Sequence, residues 1–173
     1  KKLLESQRQA AWDDLNEEGQ APNDPESLTD DQIREYQNLQ ESRVMARINH
    51  PNVIRYFGSG TTRNSFPYIV EELIDGSDFA QASKDLSVLK NLFVFHEALK
   101  GVEHLHRKRI IHRDIKPENI LVGTEGNVYI TDLQFAIRTD EPNSSDARYG
   151  AMLYAAPDAL QHNVPIDERY DIY

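Results

Sequence analysis

The sequence predicts an α+β fold in two parts, and three observations carry that expectation. An early segment combines one amphipathic helix with short β-rich runs, a later segment is dominated by a long amphipathic helix, and a small hairpin follows that helix. The proportions agree, since 39% hydrophobic and 28% charged residues over 173 positions describe a folded domain and not a disordered tail or fibre. The chain contains no internal repeat and no low-complexity tract.

Residues 17 to 32 contain Gly19, Pro22, Pro25 and six acidic residues without a hydrophobic period, which predicts an exposed loop. Thr29 and Gln32 then have capping-box spacing, so a helix follows. In it Glu41, Val44, Met45 and Ile48 stand at i, i+3, i+4 and i+7, putting a carboxylate on an apolar face where it needs a cationic partner. The helix is expected to end near Asn49-His50-Pro51-Asn52, because Pro51 disfavours helical geometry in the residue before it.

Strands are expected over Val53 to Phe57 and Tyr68 to Val70, with a turn from Gly58 to Asn64 between them. From Lys90 to Arg107 the apolar positions Leu92, Phe95, Leu99, Val102 and Leu105 keep a helical period, with Lys100, Glu103 and Arg107 on the other face. Ile110-Ile111, Ile120 to Val122, a turn at Gly123 to Gly126, and the alternating Val128 and Ile130 complete the pattern as a small hairpin.

Charge and composition exclude several functions. Lys plus Arg number 19 against 29 Asp plus Glu, so the net charge of −10 repels polyanions and no nucleic-acid partner is expected. The absence of cysteine removes disulfides, zinc–thiolate sites and thiol catalysis, and fits an intracellular, cytoplasmic location with the nucleus also open. The longest apolar runs, such as Phe93-Val94-Phe95, are too short to span a membrane.

The chemistry concentrates in His112-Arg113-Asp114-Ile115-Lys116-Pro117-Glu118-Asn119, on the loop between the long helix and the hairpin. Thirteen residues beyond Asn119 stands Asp132-Leu133-Gln134, and further on Ala156-Pro157-Asp158. Together these resemble the catalytic loop and flanking motifs of eukaryotic-type protein serine/threonine kinases, with every fixed position of H-R-D-x-x-x-x-N filled.

The resemblance implies a two-lobed protein-kinase-like fold truncated at both ends, with residues 1–73 as a partial small lobe and 74–173 as a partial large lobe. It implies ATP and Mg2+ as cofactors, a protein substrate with a Ser/Thr acceptor, and an upstream activating kinase as a further partner. On the matching positions it casts Asp114 as the group that orients or accepts the hydroxyl proton, and Lys116 as a counter-charge to the phosphoryl group. Asn119 and Asp132 become magnesium ligands, a hard cation suiting an amide and a carboxylate oxygen.

Glu41 matches the helix Glu that pairs with an ATP-binding Lys, expected just upstream or at Lys1 or Lys2. Backbone groups of Glu72 and Ile74 match the adenine-binding hinge, and Leu121 the residue beneath the ring. Met45, Tyr56, His112 and Leu133 match the stack linking the lobes; Asp171 matches the carboxylate that braces the catalytic loop. Arg113 implies control through a phosphorylated loop, with Thr139, Ser144, Ser145 and Tyr149 as acceptors, and Glu118 a contact to substrate.

The glycine-rich phosphate loop is missing from the match, and uncovered apolar surface is expected where later large-lobe helices belong. Gln134 replaces a Gly, Ala151 a Thr and Asp158 a Glu, while Glu71 places a charge beside the adenine pocket. These departures leave a pseudokinase, a nucleotide-binding or scaffolding module, as the alternative. A metal cluster of His104, His106 and His112 is disfavoured, because His104 and His106 point to different helix faces. The insert before Glu41 and the Lys1-Lys2-Leu3-Leu4 start bear a faint likeness to calcium/calmodulin-dependent protein kinase kinases, on which no subfamily is assigned.

Overall fold

The computed structural model describes residues 9, 12, 24–63, 66–140, 154 and 166–173. Lys1, Lys2, Ser144, Ser145, Tyr149, Ala151 and Ala156 to Asp158 lie outside the described residues. Helix α1 spans Asp30–Met45 and opens with the expected capping box, Gln32 N–H donating to Thr29 Oγ1 at 3.3 Å and Thr29 N–H to Gln32 Oε1 at 2.9 Å.

The loop expected up to residue 32 is shorter and less exposed than composition suggests. Pro25–Ser27 forms a 3-10 turn, and Leu28 is buried against Ile33 as a small separate cluster with Trp12. These two side chains occupy the positions just before the cap and four into the helix, where a hydrophobic staple fixes the entry of the chain. Polar composition hid one apolar pair. At its other end α1 stops at Met45, earlier than expected, because Arg47 and Ile48 N–H turn to the i−3 carbonyls of Val44 and Met45.

Strands β1, Tyr56–Thr61, and β2, Pro67–Glu71, pair antiparallel, with an irregularity between Tyr56 and Gly58. The expected boundaries therefore shift: Gly58 to Thr61 are strand, not turn, and Val53 makes only an isolated bridge to Ile130. Gly58 and Gly60 suppressed the strand signal, yet their register against Val70 and Tyr68 holds them in the ladder.

Strand β3, Gly76–Asp78, joins a three-stranded sheet in the order β3-β5-β6 with the expected hairpin, β5 Ile120–Gly123 and β6 Val128–Ile130. Its turn places Gly126 at φ +87, the left-handed region that glycine enters without a Cβ penalty. A short helix α2, Phe79–Ala82, leads to α3, Val88–Arg107, capped by Ser87. Beyond it β4, Ile110–Ile111, pairs with β7, Ile137–Arg138, so the chain between them leaves and returns as one large loop.

The buried stripe of α3 is Val94, Ala98, Gly101, Val102 and Leu105; Leu92, Phe95 and Leu99 of the expected face are exposed. Close approach explains the difference. A Cβ on Gly101 would stand 2.5 Å from Asn52 O and 3.0 Å from Ile130 Cγ1, so small residues mark the contact and large ones flank it. Phe95 and Leu99 instead border an apolar groove with Ile115, Tyr154, Tyr170 and Ile172.

Gly101→Ala is accordingly expected to cost about 1–3 kcal/mol, since neither the Asn52 carbonyl nor β6 can withdraw without disturbing the core. A urea midpoint unchanged by this substitution would contradict the packing described. The main core joins Val44, Met45, Val53 and Ile54 to Val94, Leu105, Ile120, Ile130 and Leu133, so α1 and α3 rest on one continuous apolar cluster.

Candidate active site

The loop between β4 and β5 is short of regular structure and rich in polar groups, so its shape depends on side-chain hydrogen bonds. Asp171, in the 3-10 turn Glu168–Asp171, provides two of them and ties the loop to α3 as well. Its fully buried carboxylate accepts His112 N–H at 2.9 Å, Arg113 N–H at 2.8 Å and His106 Nε2–H at 2.8 Å. This bracing lets Arg113 hold φ 68, a left-handed conformation that bulky residues seldom adopt without support.

His112 is completely buried and reads the loop on both ring nitrogens. Nε2 donates to Thr131 O at 3.0 Å while Nδ1 accepts Asp114 N–H at 3.3 Å, which assigns the Nε2–H tautomer. Arg113 Nε donates to Phe135 O at 2.6 Å, tying the loop to the segment after β6. Both links cross from the catalytic-loop sequence to the Asp132 loop.

Asp114 is buried and receives two donors on the same oxygen, Lys116 Nζ at 2.5 Å and Asn119 Nδ2 at 3.0 Å. Asn119 Nδ2 also donates to Asp114 O at 2.9 Å, so its amide nitrogen is spent internally and Oδ1 is the atom left to serve a ligand. The hydrogen bond to Asp114 raises the Lys116 pKa, against a smaller opposing effect of burial. Lys116 therefore stays a cation in this loop.

Asp132 follows β6 at φ 63, which an Asp tolerates better than most residues. Gln134, by contrast, has no positive φ and is exposed, so the residue standing in place of a Gly fits this backbone without strain. Leu133 between them is fully buried in the core with Met45, His112 is fully buried, and Tyr56 packs half-buried against the same cluster.

Glu41 from α1 and Glu71 from β2 face the negative charge of Asp132. Burial, then Asp132, then Glu71 push the Glu41 carboxyl up to about 7, and burial followed by Asp132 raises Glu71. One Glu71 oxygen, Oε1, is buried without a hydrogen-bond partner. Among the described residues, three carboxyl groups from three elements thus leave this side of the cleft short of positive charge.

That shortage makes a pH prediction. A carboxyl whose folded pKa is raised from 4.5 to about 7 favours folding fully below pH 4.5 and loses that contribution as pH rises through 7. In residues 1–173 alone, where no described cation faces Glu41, Glu41→Gln should therefore match wild-type stability near pH 4.5 and exceed it by about 2 kcal/mol at pH 8, allowing for solvent screening of a partly exposed group. Equal denaturant midpoints at pH 8 would count against the charge balance described.

Glu72 and Ile74, the residues expected at the hinge, follow the end of β2. Glu72 N–H donates to Arg55 O at 2.8 Å, leaving its carbonyl as the available backbone group, and among the described residues no backbone acceptor takes Ile74 N–H. Ile74, in the connection between β2 and β3, and Leu121, within β5 and paired with Asp78 and Tyr129, both pack against the core. Glu118 is exposed beside the loop, and Thr139 is exposed with its N–H on Arg109 O.

The three histidines go to separate places, as expected for residues that form no cluster, but two are not ordinary surface groups. His104 stacks on His50, and the half-buried His106 is a ligand of the Asp171 carboxylate. No local signal marks His106, whose partner lies 65 positions away. Asn52 was likewise missed; its Nδ2 fastens the loop after α1 to Glu97 and to Val128 O.

The donor set suits magnesium. Among the described residues no three His, Cys, Asp or Glu side chains could hold a metal by themselves, and magnesium usually needs only one or two protein oxygens beside water and phosphate. Asn119 Oδ1 and the Asp132 carboxylate supply that number, and the unbalanced charge of Glu41, Glu71 and Asp132 favours a cation there.

The protein kinase domain family matches residues 25–173. The chain belongs to the protein kinase family, as a eukaryotic-type catalytic domain. It is 31% identical over 140 residues to a probable serine/threonine-protein kinase, mkcB, of Dictyostelium discoideum, covering 78% of this chain and 19% of that protein. Serine/threonine-protein kinase shk2 of Schizosaccharomyces pombe is 33% identical over 129 residues, 72% of this chain and 22% of its own length. Serine/threonine-protein kinase STY17 of Arabidopsis thaliana is 30% identical over 152 residues, 86% of this chain and 26% of its own length. The chain thus spans about a fifth of the length of these relatives. No helix among the described residues is long and apolar enough to cross a membrane.

Proposed function

We propose that the protein transfers the γ-phosphoryl group of ATP to Ser or Thr hydroxyls of protein substrates, with residues 1–73 and 74–173 as parts of the small and large lobes. The observation that carries this reading is the single buried loop in which Asp114, Lys116 and Asn119 share hydrogen bonds, tied through His112 and Arg113 to the Asp132 loop. Asp114 accepts the proton of the substrate hydroxyl as its oxygen bonds to phosphorus and the bond to the departing ADP oxygen breaks. Lys116, hydrogen-bonded to Asp114, brings its positive charge to the oxygens of the transferred group.

Asn119 and Asp132 would hold magnesium, which when bound neutralises charge on the phosphates. Glu41 pairs with the ATP-binding Lys, whose charge relieves the crowding of carboxyls beside it. The Glu72 carbonyl and Ile74 N–H take the adenine edge, and Leu121 packs beneath the ring. The serine/threonine preference rests on Lys116 and on the printed names of the relatives. Phosphorylation by an upstream kinase would act through Arg113, and the reaction would take place inside the cell.

The comparisons lend no support to a pseudokinase. The test is phosphate transfer by the full-length protein to a mixed Ser/Thr and Tyr peptide library, with Asp132→Ala as control. Incorporation on Ser and Thr that vanishes in the variant is expected; incorporation equal in both proteins would reject the proposal.

A further inference from the structure

The loop that follows α1 carries a pair of histidines that the phosphoryl-transfer reading does not use. His50 stands on that loop and His104 on α3, with ring centroids 4.6 Å apart and planes inclined by 25°. His50 Nδ1 accepts Asn52 N–H at 3.1 Å, which requires that nitrogen to be unprotonated. His104 Nε2 is buried and has no hydrogen-bond partner.

Each of these features holds only for neutral rings. A proton on His50 Nδ1 would face the Asn52 N–H, a charge on His104 would leave a buried ring nitrogen without an acceptor, and two imidazolium rings cannot stack at this separation without strong repulsion. We propose that His50 and His104 form a proton-operated latch, which fastens the loop behind α1 to α3 when both rings are neutral and releases it when either is charged.

Lys100 disfavours a charge on His50, whereas Glu103 and Glu97 favour it; Lys108 and Arg107 join His50 in disfavouring a charge on His104. Arg55 and Glu72, of opposite sign, border the groove beside His50. The two acids are already engaged, Glu97 by Lys100 and Asn52 and Glu103 by Arg107. Burial is the first cause in both rings, and both pKa values lie below the ordinary 6.5.

A histidine with a lowered folded pKa favours the closed form above 6.5 and loses that contribution as pH falls through the lowered value. Release is local, because Ile130 N–H still holds Asn52 O at 2.9 Å and Asn52 Nδ2 still holds Val128 O. The device acts on the far end of the helix that carries Glu41, and it does not depend on the proposed reaction.

The test is amide hydrogen exchange in the full-length protein at pH 7.5 and pH 5, corrected for intrinsic rates. In the wild type, protection of the Asn52 and Val53 amides, both bonded to His50, should fall roughly tenfold for each pH unit by which one ring is lowered. In His104→Phe, which keeps an aromatic face and removes one of the two proton sites, the loss should be smaller than in the wild type, because only His50 can then release the loop. Because Glu41 titrates with opposite sign in the same range, wild type and variant are compared at each pH. Equal loss in both proteins, or no loss in the wild type, would overturn the latch. Should the variant fail to fold, proton NMR titration of the wild-type rings decides: coupled titration below 6.5 supports the latch, and independent titration at or above 6.5 overturns it.

Discussion

Asp114→Asn is expected to lower the turnover of phosphoryl transfer by about a hundredfold to ten-thousandfold, the range of a positioned general base. The side chain is almost wholly buried, and both Lys116 Nζ and Asn119 Nδ2 donate to the same Asp114 oxygen. An amide has the shape of the carboxylate but lacks its charge, so it cannot take a proton from an incoming hydroxyl. The KM for ATP should change little, because on this reading Asp114 serves the acceptor and not the nucleotide. A turnover within a few-fold of wild type would remove Asp114 from the chemistry.

Asp171→Ala should produce the largest loss of stability, about 3–5 kcal/mol. The carboxylate is fully buried and accepts two backbone N–H groups and one imidazole, and each of these is left without its acceptor when the side chain is cut back. Arg113 is then asked to keep a left-handed backbone without its brace. Asp171→Asn, which retains one oxygen, should lose less. Chemical denaturation checks both variants, and a loss below about 1 kcal/mol for Ala would contradict the brace.

The asymmetry between what was legible in the sequence and what was not follows from range. Asp114, Lys116 and Asn119 lie within six residues of chain, so the motif that suggested them also brings them together through local hydrogen bonds. The Thr29–Gln32 cap and the β5–β6 hairpin are local in the same sense. Strand β3 was missed because Gly76, Ser77 and Asp78 have no strand propensity; pairing with β5 makes it a strand.

The long helix was recognised and its inward face was not. Periodicity favours the largest apolar residues, whereas α3 meets the Asn52 loop and β6 so closely that Ala98 and Gly101 carry the contact. His106 shows the same limit for polar groups, since nothing near it in the chain hints at a partner 65 positions away. Gln134 is the converse case. It departs from the family pattern in sequence, yet the left-handed backbone falls on Asp132, so the substitution imposes no strain on the observed loop.

The account rests on Asn119 and Asp132 sharing one cation beside Asp114. The most direct measurement is the position of magnesium in the full-length protein crystallised with a non-hydrolysable ATP analogue. Oxygen atoms of Asn119 and Asp132 should each lie about 2.1 Å from the metal, with the terminal phosphate between it and Asp114. A metal bound away from these two side chains, or a nucleotide seated away from Ile74 and Leu121, would contradict it.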